Sequence, residues 1–143
     1  MKYCEVYHLD TLKDYRYVVV FSLYQGKLLL SKHKQRTTYE TQGGHIEENE
    51  SPLEAARREL YEESGALDFD IEPLCDYQAG DDHGFANGVV FVSNIQTLGE
   101  LPKSEMASVH FFDELPEALT YPHITPVLYR YWKEVYHGSK GDQ

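Results

Sequence analysis

The chain has two cysteines, two methionines and one tryptophan in 143 residues, and its 13 Lys and Arg are outnumbered by 24 Asp and Glu. Each shortage excludes something. Cys4 and Cys75 stand far apart and form no CxxC or zinc-type spacing. Neither a disulfide scaffold nor a structural zinc is therefore expected, and a reducing cytoplasm fits best. No uninterrupted apolar run approaches the roughly 18 residues of a membrane span. The amino-terminal MKYCEVYHLDTLKDY lacks the apolar core of an export signal. A formal net charge of −11 argues against broad binding to nucleic acid or anionic membranes, which recruit clustered Lys and Arg to replace counterions. A phosphorylated small molecule stays compatible, provided that a local cation supplies positive charge. With no repeat, low-complexity tract or linker, and 41% hydrophobic residues, the expectation is one domain with its own core over residues 1–138. Residues 139–143 are expected to form a frayed tail.

What the chain does contain is organised. YCEVYHL reads as a short strand, and YRYVVVFSLY, the turn QGK and LLLSKH read as a buried hairpin. QRTTYETQGG is expected to be a polar loop. Further on, DFDIEPLCDYQ and VVFVSNI resemble two strands joined by a mobile tip, AGDDHGFANG, and ASVHFFDEL offers a last strand running into a short helical turn. Near the end, Thr125 can cap a helix with Pro126 in its first position. Val127, Leu128, Tyr131, Trp132 and Val135 recur at helical spacing as a core stripe.

Between these parts lies GGHIEENESPLEAARRELYEESGA, Gly43 to Ala66, crowded with glutamate and bracketed by glycine. Ser51 is a candidate N-cap, Pro52 the first helical residue and Glu54 the partner of a capping box; Leu53, Ala56 and Leu60 make a core-facing stripe, and Gly65 suits a left-handed C-cap. On such a helix Glu59, Glu62 and Glu63 stand at i, i+3 and i+4, so their carboxylates share one side and repel. Arg58, four residues from both Glu54 and Glu62, relieves part of that repulsion but cannot satisfy every carboxylate. The bland reading is an exposed acidic face with local ion pairs. The sharper one is a cradle of hard oxygen ligands for Mg²⁺ or Mn²⁺, with Gly43 and Gly44 letting the backbone approach and point a carbonyl at the same ion.

The register of Gly44, Glu50, Arg58, Glu59, Leu60, Glu62, Glu63 and Gly65 resembles the Nudix box, G-x5-E-x7-R-E-U-x-E-E-x-G-U with U a bulky aliphatic residue. Seven of these positions require one residue type, and a chance match at one start is on the order of 10⁻⁹ at average residue usage. Ala66 at the last aliphatic position is the one departure. The resemblance implies an α/β fold, the Nudix α/β/α sandwich with a mixed β-sheet. It implies a hydrolase that cleaves a nucleoside diphosphate linked to another group. Glu59, Glu62 and Glu63 would hold catalytic metal with the Gly43 carbonyl, and Arg58 and Glu50 would orient the glutamates. The base would be Glu63 or a downstream loop carboxylate, with Glu105 the first choice and Glu100 the second.

Outside the box, Lys32, His33 and Arg36 are candidate phosphate contacts. Tyr77 and Phe85, with Tyr15 and Tyr17, are candidate stacking partners for a base. His45 is read as structural or solvent-facing. Many relatives carry Trp-Glu-x-Pro-Gly-Gly where this chain has Tyr39, Glu40, Thr41, Gln42, Gly43 and Gly44, so the loop there is expected to be less rigid. No nucleophile-elbow pattern points to covalent catalysis. The leading expectation is a nucleoside triphosphate, in normal or oxidised form, cleaved to monophosphate and pyrophosphate. Nucleotide sugars, ADP-ribose, dinucleoside polyphosphates and a non-catalytic nucleotide sensor stand as alternatives. Stable nucleic-acid binding is not expected, and the many tyrosines are compatible with a homodimer.

Overall fold

Alternation along YRYVVVFSLY decides the architecture, because both faces of that strand are apolar. In the computed structural model the backbone is described for residues 1–141 and side chains for residues 1–136. The elements in chain order are β1 (Tyr3–Tyr7), β2 (Tyr15–Tyr24), β3 (Lys27–His33), β4 (Tyr39–Glu40), β5 (Gln42–His45), α1 (Pro52–Ser64), β6 (Ala66–Asp81), β7 (Gly84–Leu98), β8 (Met106–Phe112) and α2 (Thr125–Gly141). The strands form one sheet in the order β1-β6-β7-β2-β3-β4, with β5 pairing β2 and β8 pairing β3. β2 runs parallel to β7 and the other pairings are antiparallel, so the sheet is mixed.

Side chains on a strand point alternately to opposite faces. Val18, Val20, Leu29, Val89 and Phe91 accordingly pack with Ala55, Ala56 and Leu60 of α1. Their neighbours Phe21, Leu28, Leu30 and Val90 pack with Leu128 and Trp132 of α2. A sheet covered on both faces needs apolar residues at successive positions, which is why β2 and β3 read as continuous runs. The result is a helix–sheet–helix sandwich, as expected. No helix among the described residues is long and apolar enough to cross a membrane.

Several local expectations need correction. The stretch read as a polar loop contains β4 and β5, and Gln42 within it is fully buried. The tip between β6 and β7 shrinks to Asp82 and His83, since the ladder continues through Asp81↔Gly84. ASVHFFDEL ends in bends rather than a helical turn. Leu53 is 43% exposed because the buried face of α1 begins two residues later, at Ala55, beyond a solvent-facing first turn. Thr125 lies inside α2 rather than capping it, because its N–H already donates to the Tyr121 carbonyl in a turn that leads into the helix. Val135 is exposed, so the stripe of α2 is buried at Leu128 and Trp132. Of the expected tail, residues 139–141 belong to α2, and Asp142 and Gln143 lie outside the described residues.

Two anchors fix the regions that flank the site. Asp76 of β6, fully buried, accepts hydrogen bonds from the backbone N–H groups of Asp10, Thr11 and Leu12 and from the Tyr15 hydroxyl. The segment between β8 and α2 lies against β4, where Tyr39 N–H donates to the Ala118 carbonyl and Thr120 N–H to the Tyr39 carbonyl.

Candidate active site

Helix α1 starts and stops where its sequence dictates. Ser51 Oγ accepts from Glu54 N–H, the Glu54 carboxylate accepts from Ser51 N–H, and Gly65 closes the helix at φ 85° with its N–H on the Tyr61 carbonyl. Glu54 is thereby committed to the cap, and Arg58 turns elsewhere. Its Nε and Nη2 bind both oxygens of Glu50 at 2.7 and 2.9 Å, Nη1 binds Glu59 Oε1 at 2.7 Å, and Nη2 also donates to the His45 carbonyl at 3.1 Å. Glu62 Oε2 lies 3.5 Å from Nη1 and Glu47 Oε1 3.4 Å from Nε. A planar guanidinium with five donors suits this fan of carboxylates as an ammonium would not.

These contacts separate the glutamates electrostatically. Arg58 holds Glu50 far below the usual carboxylate range, at about 2. Glu59 is displaced upward by burial, which outweighs the opposing pull of Arg58. Glu63 is pushed up to about 9, chiefly by burial and then by the charges of Glu59, Glu40 and Glu62, although the Gly43 N–H donates to its Oε1 at 2.7 Å. Glu63 and Glu59 meet adjacent residues of β5, Gly43 donating to the first and Gly44 lying against the second. Burial and neighbouring like charges both disfavour the ionised forms, and Arg58 offsets this in part at Glu59.

The residues fit a hard divalent cation. Glu59, Glu62 and Glu63 supply only oxygen, and Gly44 leaves room at the cluster: a Cβ there would lie 2.9 Å from Glu59 Oε1. Gly43 has φ 151°, and a Cβ on it would strike the Val18 carbonyl. Gly43 touches the cluster through its N–H to Glu63. Among the described residues no three acidic, cysteine or histidine side chains converge on one coordination point. Glu59 is drawn toward Arg58 and Glu62, with a 46% exposed side chain, stands at the outer edge.

Gly43, Gly44 and Glu63 open into a cleft of about 920 Å³ between β5, the β6–β7 turn and the segment before α2. In a chain of net charge −11 this cleft gathers cationic groups beside acidic ones: Lys2, Arg16, Arg36 and the histidines 33, 45, 83 and 123 border it together with Glu40, Glu63, Asp81 and Glu105. Of the residues expected from sequence, His33, Arg36, Tyr77, Phe85 and Glu105 border it. Phe85 is 64% exposed, whereas Tyr77 is buried in the core and presents only part of its ring. Arg36 is held by Glu40 at 3.0 Å and lies over the Tyr121 ring. Glu105 is exposed, 3.6 Å from His33 Nε2.

Lys32 does not border the cleft; it pairs with Tyr39 and Ser108 inside the sheet. Tyr15 is likewise withdrawn, its hydroxyl bound to Asp76. His45, read as structural or solvent-facing, lies tilted against Tyr17 at 4.4 Å between ring centres on the cleft wall. Arg16, Tyr121 and His123 were missed. No spacing signals them, because the pairing of β2 and the docking of residues 113–124 bring them to the cleft. Glu40 could have been found as the carboxylate four residues after Arg36, at ion-pair reach in the turn before the box.

Comparison with known proteins agrees with this geometry. The family profile described as NUDIX domain matches residues 14–128. A Bacillus subtilis (strain 168) protein named "Putative 8-oxo-dGTP diphosphatase YtkD" is 34% identical over 112 residues, covering 73% of this chain and 66% of its own length. Among solved structures, a variant of the Bacillus subtilis pyrophosphohydrolase BsRppH superposes with a TM-score of 0.80 at 25% identity, over 94% of this chain and 90% of that one. A UDP-X diphosphatase superposes with a TM-score of 0.73 at 22% identity, over 91% of this chain and 66% of that one, which is a likeness of fold.

Proposed function

The chain belongs to the Nudix hydrolase family, and from that premise we propose that it is a pyrophosphohydrolase. It uses Mg²⁺ or Mn²⁺ to cleave a nucleoside triphosphate, in normal or oxidised form, to the monophosphate and pyrophosphate. The observation that carries this reading is the acidic face of α1 set against β5, where the Gly43 N–H donates to Glu63 and Gly44 lies against the Glu59 carboxylate, with Glu63 at the wall of a cleft that also holds Lys2, Arg16 and Arg36. An acidic pair beside basic groups suits a substrate that brings both negative charge and a cation with it.

Glu59, Glu62 and Glu63 would hold the ion with the Gly43 backbone. When bound, it supplies charge neutralisation on the diphosphate and lowers the pKa of a water molecule. The chain's own residues do the rest. Arg58, braced by Glu50, fixes Glu59 by its Oε1. Arg36 and His33 meet phosphate oxygens at the cleft, and Phe85 and Tyr121 offer ring faces to the base. Water attacks phosphorus, the bond to the leaving phosphate oxygen breaks, and the proton passes to a carboxylate, Glu63 or the cleft residue Glu105. The resemblance to a protein named for 8-oxo-dGTP favours a triphosphate over nucleotide sugars, ADP-ribose and dinucleoside polyphosphates.

The test is hydrolysis of a diphosphate panel with Mg²⁺ and with Mn²⁺, reading pyrophosphate and phosphate separately, beside Glu63→Gln. Release of pyrophosphate from a triphosphate by wild type only is the expected result. Turnover by Glu63→Gln at the wild-type rate would overturn the site. Silence across the panel, with nucleotide binding retained, would favour a sensor.

A further inference from the structure

A continuous polar chain crosses the buried interior of the sheet and ends on the catalytic helix. Ser93 Oγ of β7 donates to Ser22 Oγ of β2 at 2.8 Å, and Ser22 donates to Gln42 Oε1 of β5 at 2.9 Å. Gln42 Nε2 donates to Ser31 Oγ of β3 at 2.9 Å, and Ser31 donates to the Glu63 carbonyl at 2.7 Å. Ser22, Ser31 and Gln42 are fully buried. The direction is fixed at both ends. Gln42 Nε2 also faces the Leu29 carbonyl at 3.4 Å, which sets the amide orientation. Ser31, already accepting from Gln42, has its single proton to give to Glu63.

The end point matters because the last four carbonyls of a helix have no partner within it. In α1, the Gly65 N–H takes the carbonyl of Tyr61. Ser31, from another strand, takes that of Glu63. The residue after Gln42 then acts on the other end of the same glutamate, since Gly43 N–H donates to Glu63 Oε1 at 2.7 Å. Glu63 is thus held at its main chain through Gln42 and Ser31, and at its carboxylate by Gly43. Where relatives carry proline, Gln42 ties this segment to β2 and β3 through its buried side chain.

We propose that Gln42 and Ser31 are positioning residues for the cation site, locking the final turn of α1 so that Glu63 is presented beside Glu59. This rests on the reading of the glutamates as the metal cradle. Partners that orient metal ligands from behind typically matter about 10- to 100-fold in metal affinity. A network serving only stability would alter melting and leave metal affinity alone.

The experiment is titration of the intact chain with Mn²⁺, following the signal of the free ion by electron paramagnetic resonance, with melting curves on the same samples. Ser31→Ala and Gln42→Met are expected to weaken Mn²⁺ binding about tenfold, and Ser31→Thr, which keeps the hydroxyl, to restore it. Tyr15→Phe, which removes a buried hydrogen bond at Asp76, is the control for lost stability and should bind Mn²⁺ as wild type does. Wild-type affinity in both Ser31→Ala and Gln42→Met overturns the positioning role if Glu63→Gln has lost binding. An equal loss in Tyr15→Phe also overturns it. No binding by wild type, or full binding by Glu63→Gln, overturns the metal cradle itself and the positioning role with it.

Discussion

Arg58 grips Glu50 by both carboxylate oxygens, at 2.7 and 2.9 Å, and only its remaining Nη1 is free to steer Glu59. A lysine could keep the charge but not the two-point hold together with the third contact. Arg58→Lys is therefore expected to lower kcat about tenfold or more and to cost about 1–2 kcal/mol in chemical denaturation. The same pair predicts an acid response. Glu50 is held at about 2 in the fold against 4.5 for the free group. A depressed carboxylate stabilises fully above its unfolded value, and that contribution fades as pH falls from about 4.5 toward 2. Melting temperatures measured from pH 6 to 3 should fall less steeply in Glu50→Gln than in wild type.

Gly44→Ala should separate activity from stability. The new methyl carbon would lie 2.9 Å from Glu59 Oε1 and 3.0 Å from its Cδ, so the flexible carboxylate moves and the backbone stays. A loss of about 10- to 100-fold in kcat with near-normal melting is expected. Gly43→Ala, which meets the Val18 carbonyl at a strained φ, should instead reduce soluble folded protein.

Asp76→Ala removes the acceptor of three backbone N–H groups and of the Tyr15 hydroxyl in a buried place. Unfolding in urea should show a loss of about 3–5 kcal/mol. Tyr15→Phe keeps the carboxylate and the other donors, and should lose about 1 kcal/mol.

Cation binding should be visible as stability. A ligand present at one hundred times its dissociation constant adds about 2.7 kcal/mol to a fold that alone binds it. Adding Mg²⁺ is expected to raise the melting temperature of wild type, a chelator to reverse this, and Glu59→Gln or Glu63→Gln to show little response.

Phe85 contributes nothing to the core, being 64% exposed at the cleft mouth. Its removal should therefore be read in substrate affinity. Stacking of a base on an aromatic ring is worth about 1–3 kcal/mol, so Phe85→Ala is expected to raise KM roughly fivefold or more while kcat and the melting temperature change little.

Helix α1 was legible because its instructions are local: Ser51, Pro52 and Glu54 start it and Gly65 ends it within one short stretch. The alternate faces of β2 and β3 were legible for the same reason. Gln42 was not. Its burial depends on Ser22, Ser31 and Ser93 arriving from three other strands, and a glutamine among threonine and glycine reads as a loop until they do. The Glu54–Arg58 pairing also failed, because the helix cap competes for Glu54 and Glu50 offers Arg58 a two-point contact from outside the helix. The cleft wall at Arg16 and Tyr121 is set by tertiary docking and leaves no periodic trace.

The parallel pairing of β2 with β7 has a consequence in time. Ser22 and Ser93 meet across 71 residues of chain, so the middle of the sheet cannot close until the whole box and the long β6–β7 hairpin have been made. Such distant pairings are slow to form, because loop-closure entropy is lost before contacts reward it. Ser31 and Gly43, which hold Glu63, lie on β3 and β5 and pair with β2 without β7, so the setting of α1 does not depend on that closure. During synthesis, the strands that flank α1 can therefore gather on β2 before β7 emerges, and the parallel β2–β7 seam closes only afterwards.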